Sequence, residues 1–221
     1  MTTILCYGDS NTYGYDPRDG MKYPADSRWP GILKKLLGPS FHVVEEGCNG
    51  RTTVFTDPAE EWKNGLTYLK PCLNSHKPID ILIIMLGSND LKKNYHASAA
   101  DIADGAGELV RVAKEFLAVK QGFVPEIILV SPPLIGEGIT ESPFSESFDA
   151  TAIERSKQFS AEYRRVAEET GCIYFDAAPV AIASDIDSLH LSPESHKALA
   201  IALCKTVLNV SKQKAHHSDG L

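Results

Sequence analysis

Two stretches of this chain, Ile81-Leu82-Ile83-Ile84-Met85-Leu86 and Ile127-Ile128-Leu129-Val130, are apolar at every position. Runs this short read as strands. A strand without a polar alternate position has no face to offer to water, so it must be covered on both sides. Strand candidates are 3–7, 41–45, 80–86, 126–131 and 172–176. Between them the apolar period changes. Ile102, Ala106, Leu109, Ala113 and Phe116 recur every three or four residues, and Ile153, Tyr163 and Val166 mark a second helix. A third, over 198–210, follows Ser192-Pro193, a capping residue with proline at the first helical position. Shorter helices are expected over 27–37 and 60–76. Strands alternating with helices require a parallel sheet with right-handed crossovers and helices on both faces. The expected fold class is therefore α/β, a three-layer α/β/α sandwich. Its five parallel strands should take the flavodoxin-like order 2-1-3-4-5.

That order converts position in the chain into position in space. Ligands in such sheets bind at the carboxyl ends of the strands, beside the point where the strand order reverses. Ser10 follows the first strand, Asn89 the third and His190 the fifth, so all three should emerge on one rim.

A length of 221 residues suits one domain, expected over 1–210, with 211–221 as a polar tail expected to be poorly ordered. The formal net charge of -7 speaks against a nucleic-acid partner, which would need a basic patch. No apolar segment approaches membrane-spanning length, so no membrane partner is expected. Residues 1–15 have neither a basic region nor a long apolar one, and cleavage beyond them would remove the first strand, so a classical secretion signal is not expected. Five widely spaced cysteines without a C-x-x-C pair read as reduced core thiols, and the expected location is cytoplasmic.

The apolar run of the first strand stops abruptly at Gly8-Asp9-Ser10-Asn11. A plain turn would explain it, unless Ser10 has chemical partners. A serine nucleophile needs an imidazole to take its proton, a carboxylate to orient that imidazole, and donors for the oxyanion. Asp187-x-x-His190 supplies the first two at about the spacing of one helical turn. Nδ1 can then face the carboxylate and Nε2 can face Ser10. His190 alone among seven histidines combines a strand-exit position with a carboxylate this near; Asp185 is a substitute with less natural reach. The oxyanion donors would be the Ser10 N–H at the start of a helix, the Gly50 N–H after the second strand and the Asn89 side chain after the third. Each stretch is ordinary turn sequence by itself. Their occurrence in order, at successive strand ends, is the signal.

Gly8-Asp9-Ser10, Gly50, Gly87-x-Asn89-Asp90 and Asp187-x-x-His190 together resemble the four blocks of the SGNH (GDSL-like) hydrolase family, over essentially the whole chain. Arg28-Trp29, the 45–53 segment with Glu45-Glu46-Gly47 and Arg51-Thr52-Thr53, and 83–90 are similar to the bacterial arylesterase, acyltransferase and carbohydrate acetylesterase branch. The resemblance implies Ser10 as nucleophile, His190 as base and Asp187 as its orienter, with the three oxyanion donors as above. It also implies a small acyl ester as substrate and a homo-oligomer larger than a dimer, up to an octamer. Asn11 stands where the broad family has leucine, and Tyr13 and Tyr15 stand where some relatives carry tryptophan. Candidates for the substrate pocket are Asp9, Asn11, Tyr13, Tyr15, Trp29, Leu134 and Ile135.

A serine esterase with an acyl-enzyme intermediate is the leading reading, with acyl transfer to alcohols as an added activity. A carbohydrate O-acetylesterase is the alternative substrate class. A flavodoxin-like binding module is the non-enzyme alternative, since element order alone fits both. Neither a P-loop nor G-x-G-x-x-G occurs, and Asp9 beside Ser10 opposes an anion cradle. No cofactor is expected. No metal site is expected either: H-E-x-x-H is absent, and His216-His217 lie in the polar tail. The segment 132–148, with Leu134, Ile135, Phe144 and Phe148, either lines the pocket or packs on the body or a partner chain. If exposed, it would be an apolar liability on a monomer.

Overall fold

The structure, a computed structural model, describes residues 1–218; the end of the expected polar tail, 219–221, lies outside the described residues. Five strands, β1 (Thr2–Gly8), β2 (Phe41–Gly47), β3 (Ile81–Met85), β4 (Glu126–Ser131) and β5 (Ile173–Asp176), form one sheet. The spatial order is β2-β1-β3-β4-β5, all parallel, as the alternating pattern requires. The register runs Thr2 opposite Phe41 on one side of β1 and Ile4 opposite Ile81 on the other.

The continuous apolar runs are explained by what each alternate residue meets. Leu5, Tyr7, Leu82, Ile84, Ile127 and Leu129 face one core, closed by α3 (Gly65–His76), α4 (Ala99–Gln121) and α5 (Ala150–Thr170). Ile4, Cys6, Ile81, Ile83, Ile128 and Val130 face the other, closed by α2 (Trp29–Leu37) and α6 (Pro193–Ser218). Each fully buried aliphatic side chain contributes roughly 1.5–3 kcal/mol, so a polar residue at any of these positions would be opposed from either face.

One expectation is corrected. The segment 60–76 is not one helix. A 3-10 turn, Glu61–Lys63, ends at Asn64, whose side-chain oxygen accepts the Thr67 N–H at 3.1 Å and so starts α3 afresh. The loop 132–148 packs on the body, and its Phe144 and Phe148 also line a cavity with Ser10. Ile135 and Phe148 are buried, Phe144 is partly buried against the same core, and Leu134 alone of the four is open, at 39%. A short 3-10 turn, Glu137–Glu141, folds the segment back so that these side chains pack inward. Helix α6 continues past Val210 to Ser218, through most of the stretch set apart as a tail. The five cysteines are free thiols; Cys48 and Cys172 are only half-buried, the others buried. Among the described residues no helix is long and apolar enough to cross a membrane.

Candidate active site

The strand β1 stops at Gly8 because a single helical turn, α1 (Ser10–Tyr13), begins two residues later. Asp9 caps it, its side chain accepting the Asn11 N–H at 2.9 Å, and Gly14 ends it in the left-handed region at φ 87°. The turn doubles back so tightly that a Cβ on Gly8 would lie 2.0 Å from the Thr12 hydroxyl oxygen. Ser10 is thereby the first residue of a helix, where backbone N–H groups have no partner within the helix. Its N–H meets no acceptor among the described residues.

Residues 184–191 bring His190 to this turn. The Ser184 N–H donates to the His190 carbonyl at 2.7 Å, and Ala183 pairs with Leu191 as an isolated bridge. Inside that loop Asp187 Oδ1 accepts the backbone N–H groups of Leu189 and His190 at 3.0 and 2.9 Å. Its Oδ2 lies 2.6 Å from His190 Nδ1, and His190 Nε2 lies 2.8 Å from Ser10 Oγ. All three side chains are buried. Asn11 clamps the two segments together, donating to the Leu189 carbonyl at 3.3 Å and accepting the Leu191 N–H at 3.0 Å. Asp185, the weighed substitute for Asp187, is exposed and belongs to a different cavity.

The expected oxyanion donors share one cavity with Ser10 and His190. Asn89 gives one amide hydrogen to the Arg51 carbonyl at 3.1 Å, which fixes the side chain and leaves its second hydrogen uncommitted. The Arg51 guanidinium lies 4.3 Å from the Tyr7 ring centroid and donates to the Gly8 carbonyl at 2.9 Å. Gly50 sits at φ 79°, a left-handed conformation in which a side chain is strained, and its N–H too meets no acceptor among the described residues. Asp90 accepts both the N–H and the hydroxyl of Thr53, tying the strand-three exit to the strand-two exit.

The cavity is about 250 Å³. Tyr15 stacks on the imidazole, ring centroids 4.1 Å apart, and Phe144 meets it edge-on at 5.3 Å. Of the pocket candidates, Tyr15 lines this cavity and the other six do not. Asp9 and Asn11 are used as cap and clamp. Tyr13 turns outward beneath the Lys22 ammonium, 4.5 Å from its ring centroid. Trp29 is wholly buried in the α2–α6 core. Leu134 and Ile135 border a separate cavity, with Ile182 and Ser188. Sequence reasoning passed over Lys63, Lys92 and Ser147, which do line the Ser10 cavity. Single lysines in turns carry no pattern; the spacing of Lys92 three residues after Asn89 was the one available hint.

Residues 6–198 match the model of the GDSL-like lipase/acylhydrolase family. The chain belongs to that family. It is similar to a carbohydrate acetylesterase from Sinorhizobium meliloti, at 34% identity over 95% of this chain and 100% of that one, with a TM-score of 0.88. It is also similar to the aryl esterase of M. smegmatis, at 32% identity over 95% and 99% of the two chains and the same TM-score of 0.88. A lipase/acylhydrolase from Enterococcus faecalis, 19% identical with a TM-score of 0.64, shares the fold. No curated protein matches the chain. Family membership and these esterase neighbours make the protein a carboxylic ester hydrolase, and they decide against the flavodoxin-like alternative.

Within this acylhydrolase the electrostatics separate the carboxylates by environment. Burial works to raise the Asp187 carboxyl, but the His190 side chain and the two backbone N–H groups outweigh it and hold the carboxyl below its ordinary range. Asp9 has no such counterweight: burial pushes it up to about 7, with the Asn11 N–H only partly opposing and Asp90 adding to the rise. Burial likewise pushes Asp90 up to about 6 against its Thr53 hydrogen bonds. His196, inside α6, is held neutral by burial at about 3; its Nδ1 accepts the Trp29 N–H at 3.3 Å. One cluster of metal-ligand type, which sequence reasoning did not group, lies apart from Ser10. Glu46, Cys72 and His76 place their ligand atoms within 4.8 Å of one another. His76 already bonds Glu46 at 2.7 Å, and burial holds the Cys72 thiol protonated, pushed up to about 12.

Proposed function

We propose that the enzyme hydrolyses esters of short acyl groups, acetyl foremost, through an acyl-enzyme on Ser10. The observation that carries this reading is the unbroken relay from Asp187 through His190 to Ser10 Oγ, each link below 3 Å, opening on a cavity of about 250 Å³. His190 Nε2 takes the Ser10 proton as Oγ bonds to the ester carbonyl carbon. Asp187 keeps the other imidazole proton on Nδ1 and stabilises the imidazolium that forms. The Ser10 N–H, the Gly50 N–H and the free Asn89 hydrogen receive the negative oxygen. The imidazolium then protonates the departing alkoxide, and the C–O bond of the ester breaks. Water, deprotonated by the same Nε2, cleaves the acyl-serine to release the acid and restore Ser10.

The cavity lies just below the usual ~300–1,000 Å³ of small-molecule sites, which suits a short acyl chain. Tyr15 and Phe144 flank the imidazole that protonates the leaving group, and two aromatic walls there favour an aryl or other apolar alcohol. The same walls would hold an acceptor alcohol in place of water, the basis for acyl transfer. A carbohydrate O-acetyl ester is the second reading, favoured by the similarity to the Sinorhizobium meliloti acetylesterase. We also propose assembly into a homo-oligomer, since Leu134, Ile182 and Ile186 remain exposed near the histidine loop.

The test is a panel of p-nitrophenyl esters of increasing chain length beside acetylated xylo-oligosaccharides, with Ser10→Ala as control. Wild type should show a burst of nitrophenol and fall off with chain length. Ser10→Ala should lose the burst and on the order of 10³–10⁶ in kcat. An Ser10→Ala protein with more than a tenth of wild-type turnover would end the serine mechanism.

A further inference from the structure

The chain has seven more acidic than basic residues, yet among the described residues no acidic side chain lines the Ser10 cavity. Two lysines do, Lys63 and Lys92. Lys63 runs beside Gly50 and Lys92 directly follows the turn that carries Asn89, so each adjoins an expected oxyanion donor. The outer methylenes of Lys63 pass 2.9 Å from where a Cβ on Gly50 would lie. Lys92 closes the 3-10 turn Asn89–Leu91 by giving its N–H to the Asn89 carbonyl at 3.3 Å.

Their partners differ. Lys63 is bonded to Glu60, whose side chain is partly buried. Lys92 is half-buried and forms no ion pair among the described residues. Asp57, Glu60 and Asp90 act on it only through space. Burial, and next the neighbouring charge of Lys63, hold its ammonium below the ordinary lysine range. A lysine withdrawn from water is normally paired, because an uncompensated ammonium there costs solvation. Here the charge of Lys63 adds to that cost, and Asp57, Glu60 and Asp90 offset part of it from a distance without pairing with the ammonium. A substrate anion would remove both penalties at once.

Resting on the esterase reading above, we propose that the ester bound by this site carries a carboxylate, received by Lys63 and Lys92 beside the oxyanion donors. The small cavity limits the carrier to two kinds of compound. One is a half-ester of a short dicarboxylic acid, with the charge on the acyl half. The other is an acyl ester of a small hydroxy acid, with the charge on the alcohol half. Lysine suits either, as a compact point charge without the planar demands of a guanidinium.

The experiment compares matched charged and neutral esters on the full chain by titrating released acid. Monomethyl succinate against dimethyl succinate tests the acyl half; 4-acetoxybenzoate against its methyl ester tests the alcohol half. For at least one pair, kcat/KM should favour the charged ester on the order of tenfold at low salt, and the preference should shrink several-fold in 0.5 M salt as the pairing is screened. Lys92→Gln should bring the ratio to about one, whereas Lys92→Arg should retain it. Each ratio is taken on a single variant, so a general loss of activity or folding cancels. Ratios at or below one for both pairs in wild type, or a preference that survives Lys92→Gln together with Lys63→Gln, would overturn the inference. Hydrolysis of the neutral esters with no charge preference sinks only this inference. Absence of hydrolysis of every ester, neutral ones included, sinks the esterase reading beneath it.

Discussion

Asp187→Asn separates the chemistry of the relay from its architecture. In wild type Oδ1 accepts two backbone N–H groups at 2.9 and 3.0 Å, and Oδ2 faces Nδ1 at 2.6 Å. An asparagine has one acceptor end, and the two backbone donors claim it. Its NH₂ end must then face Nδ1, which becomes an acceptor, and the imidazole proton moves to Nε2. Nε2 lies 2.8 Å from Ser10 Oγ and now offers a proton where a base is needed. Loss of the correct tautomer in a serine–histidine–aspartate relay lowers kcat by about 10⁴, which is about 5 kcal/mol of transition-state stabilisation. The fold should change far less. Both backbone hydrogen bonds survive, and exchanging a charged acceptor for a neutral one costs about 1–3 kcal/mol. That cost should depend on pH with a definite sign. The folded Asp187 carboxyl is held below its ordinary range, so its contribution to stability is present above the unfolded value of about 3.9 and is lost as pH falls through the folded value. The gap in urea midpoint between wild type and Asp187→Asn should therefore close below pH 4. The assay is steady-state hydrolysis of p-nitrophenyl acetate with urea unfolding on the same samples. A cooperatively folded Asp187→Asn enzyme with more than a tenth of wild-type kcat would refute the tautomer argument.

Asn89→Ala should cost roughly 10²–10³, mainly in kcat, because its free hydrogen serves the oxyanion rather than the ground state; a change confined to KM would contradict that role. Asp9→Asn should stabilise the fold increasingly as pH rises from 4 to 8. Burial lifts the folded carboxyl to about 7, so the folded state binds more protons than the unfolded chain across that window, and wild-type stability falls as pH rises through it. The shift allows at most about 4 kcal/mol, and the Asn11 N–H keeps an acceptor in the variant; a urea midpoint difference that does not grow with pH would count against it. Light scattering at micromolar concentration should show a species larger than a dimer, reduced by charged substitutions at Leu134 and Ile182; a wild-type particle of 24.1 kDa would remove the assembly proposal.

The layered fold was legible in the residues because its cause is local and repetitive. The run 81–86 carries its burial in every residue, and the strand–helix alternation leaves few parallel topologies. The pairing of Asp187 with His190 was legible for the same reason: three residues apart, both lie in one loop, so their approach needs only local turn geometry. The Ser10–His190 contact joins residues 180 apart, and here the strand order stood in for distance by placing both on one rim.

What a rim position cannot convey is which way a side chain points once the rim is built. Asn11 sits beside Ser10 in the chain yet clamps Leu189 and Leu191, because the histidine loop arrives there with an open carbonyl and N–H. Tyr13 and Tyr15 are two residues apart, but Tyr15 stacks on the imidazole while Tyr13 faces Lys22. Trp29 sinks into the α2–α6 core, where only the packed helices define a site for its ring. Lys63 and Lys92 come from segments 29 residues apart and become a pair of charges only when both border the Ser10 cavity. Burial periodicity and short-range spacing are properties of the chain itself. The direction of a side chain at a turn is decided by the distant groups that reach it, and those exist only in the folded molecule.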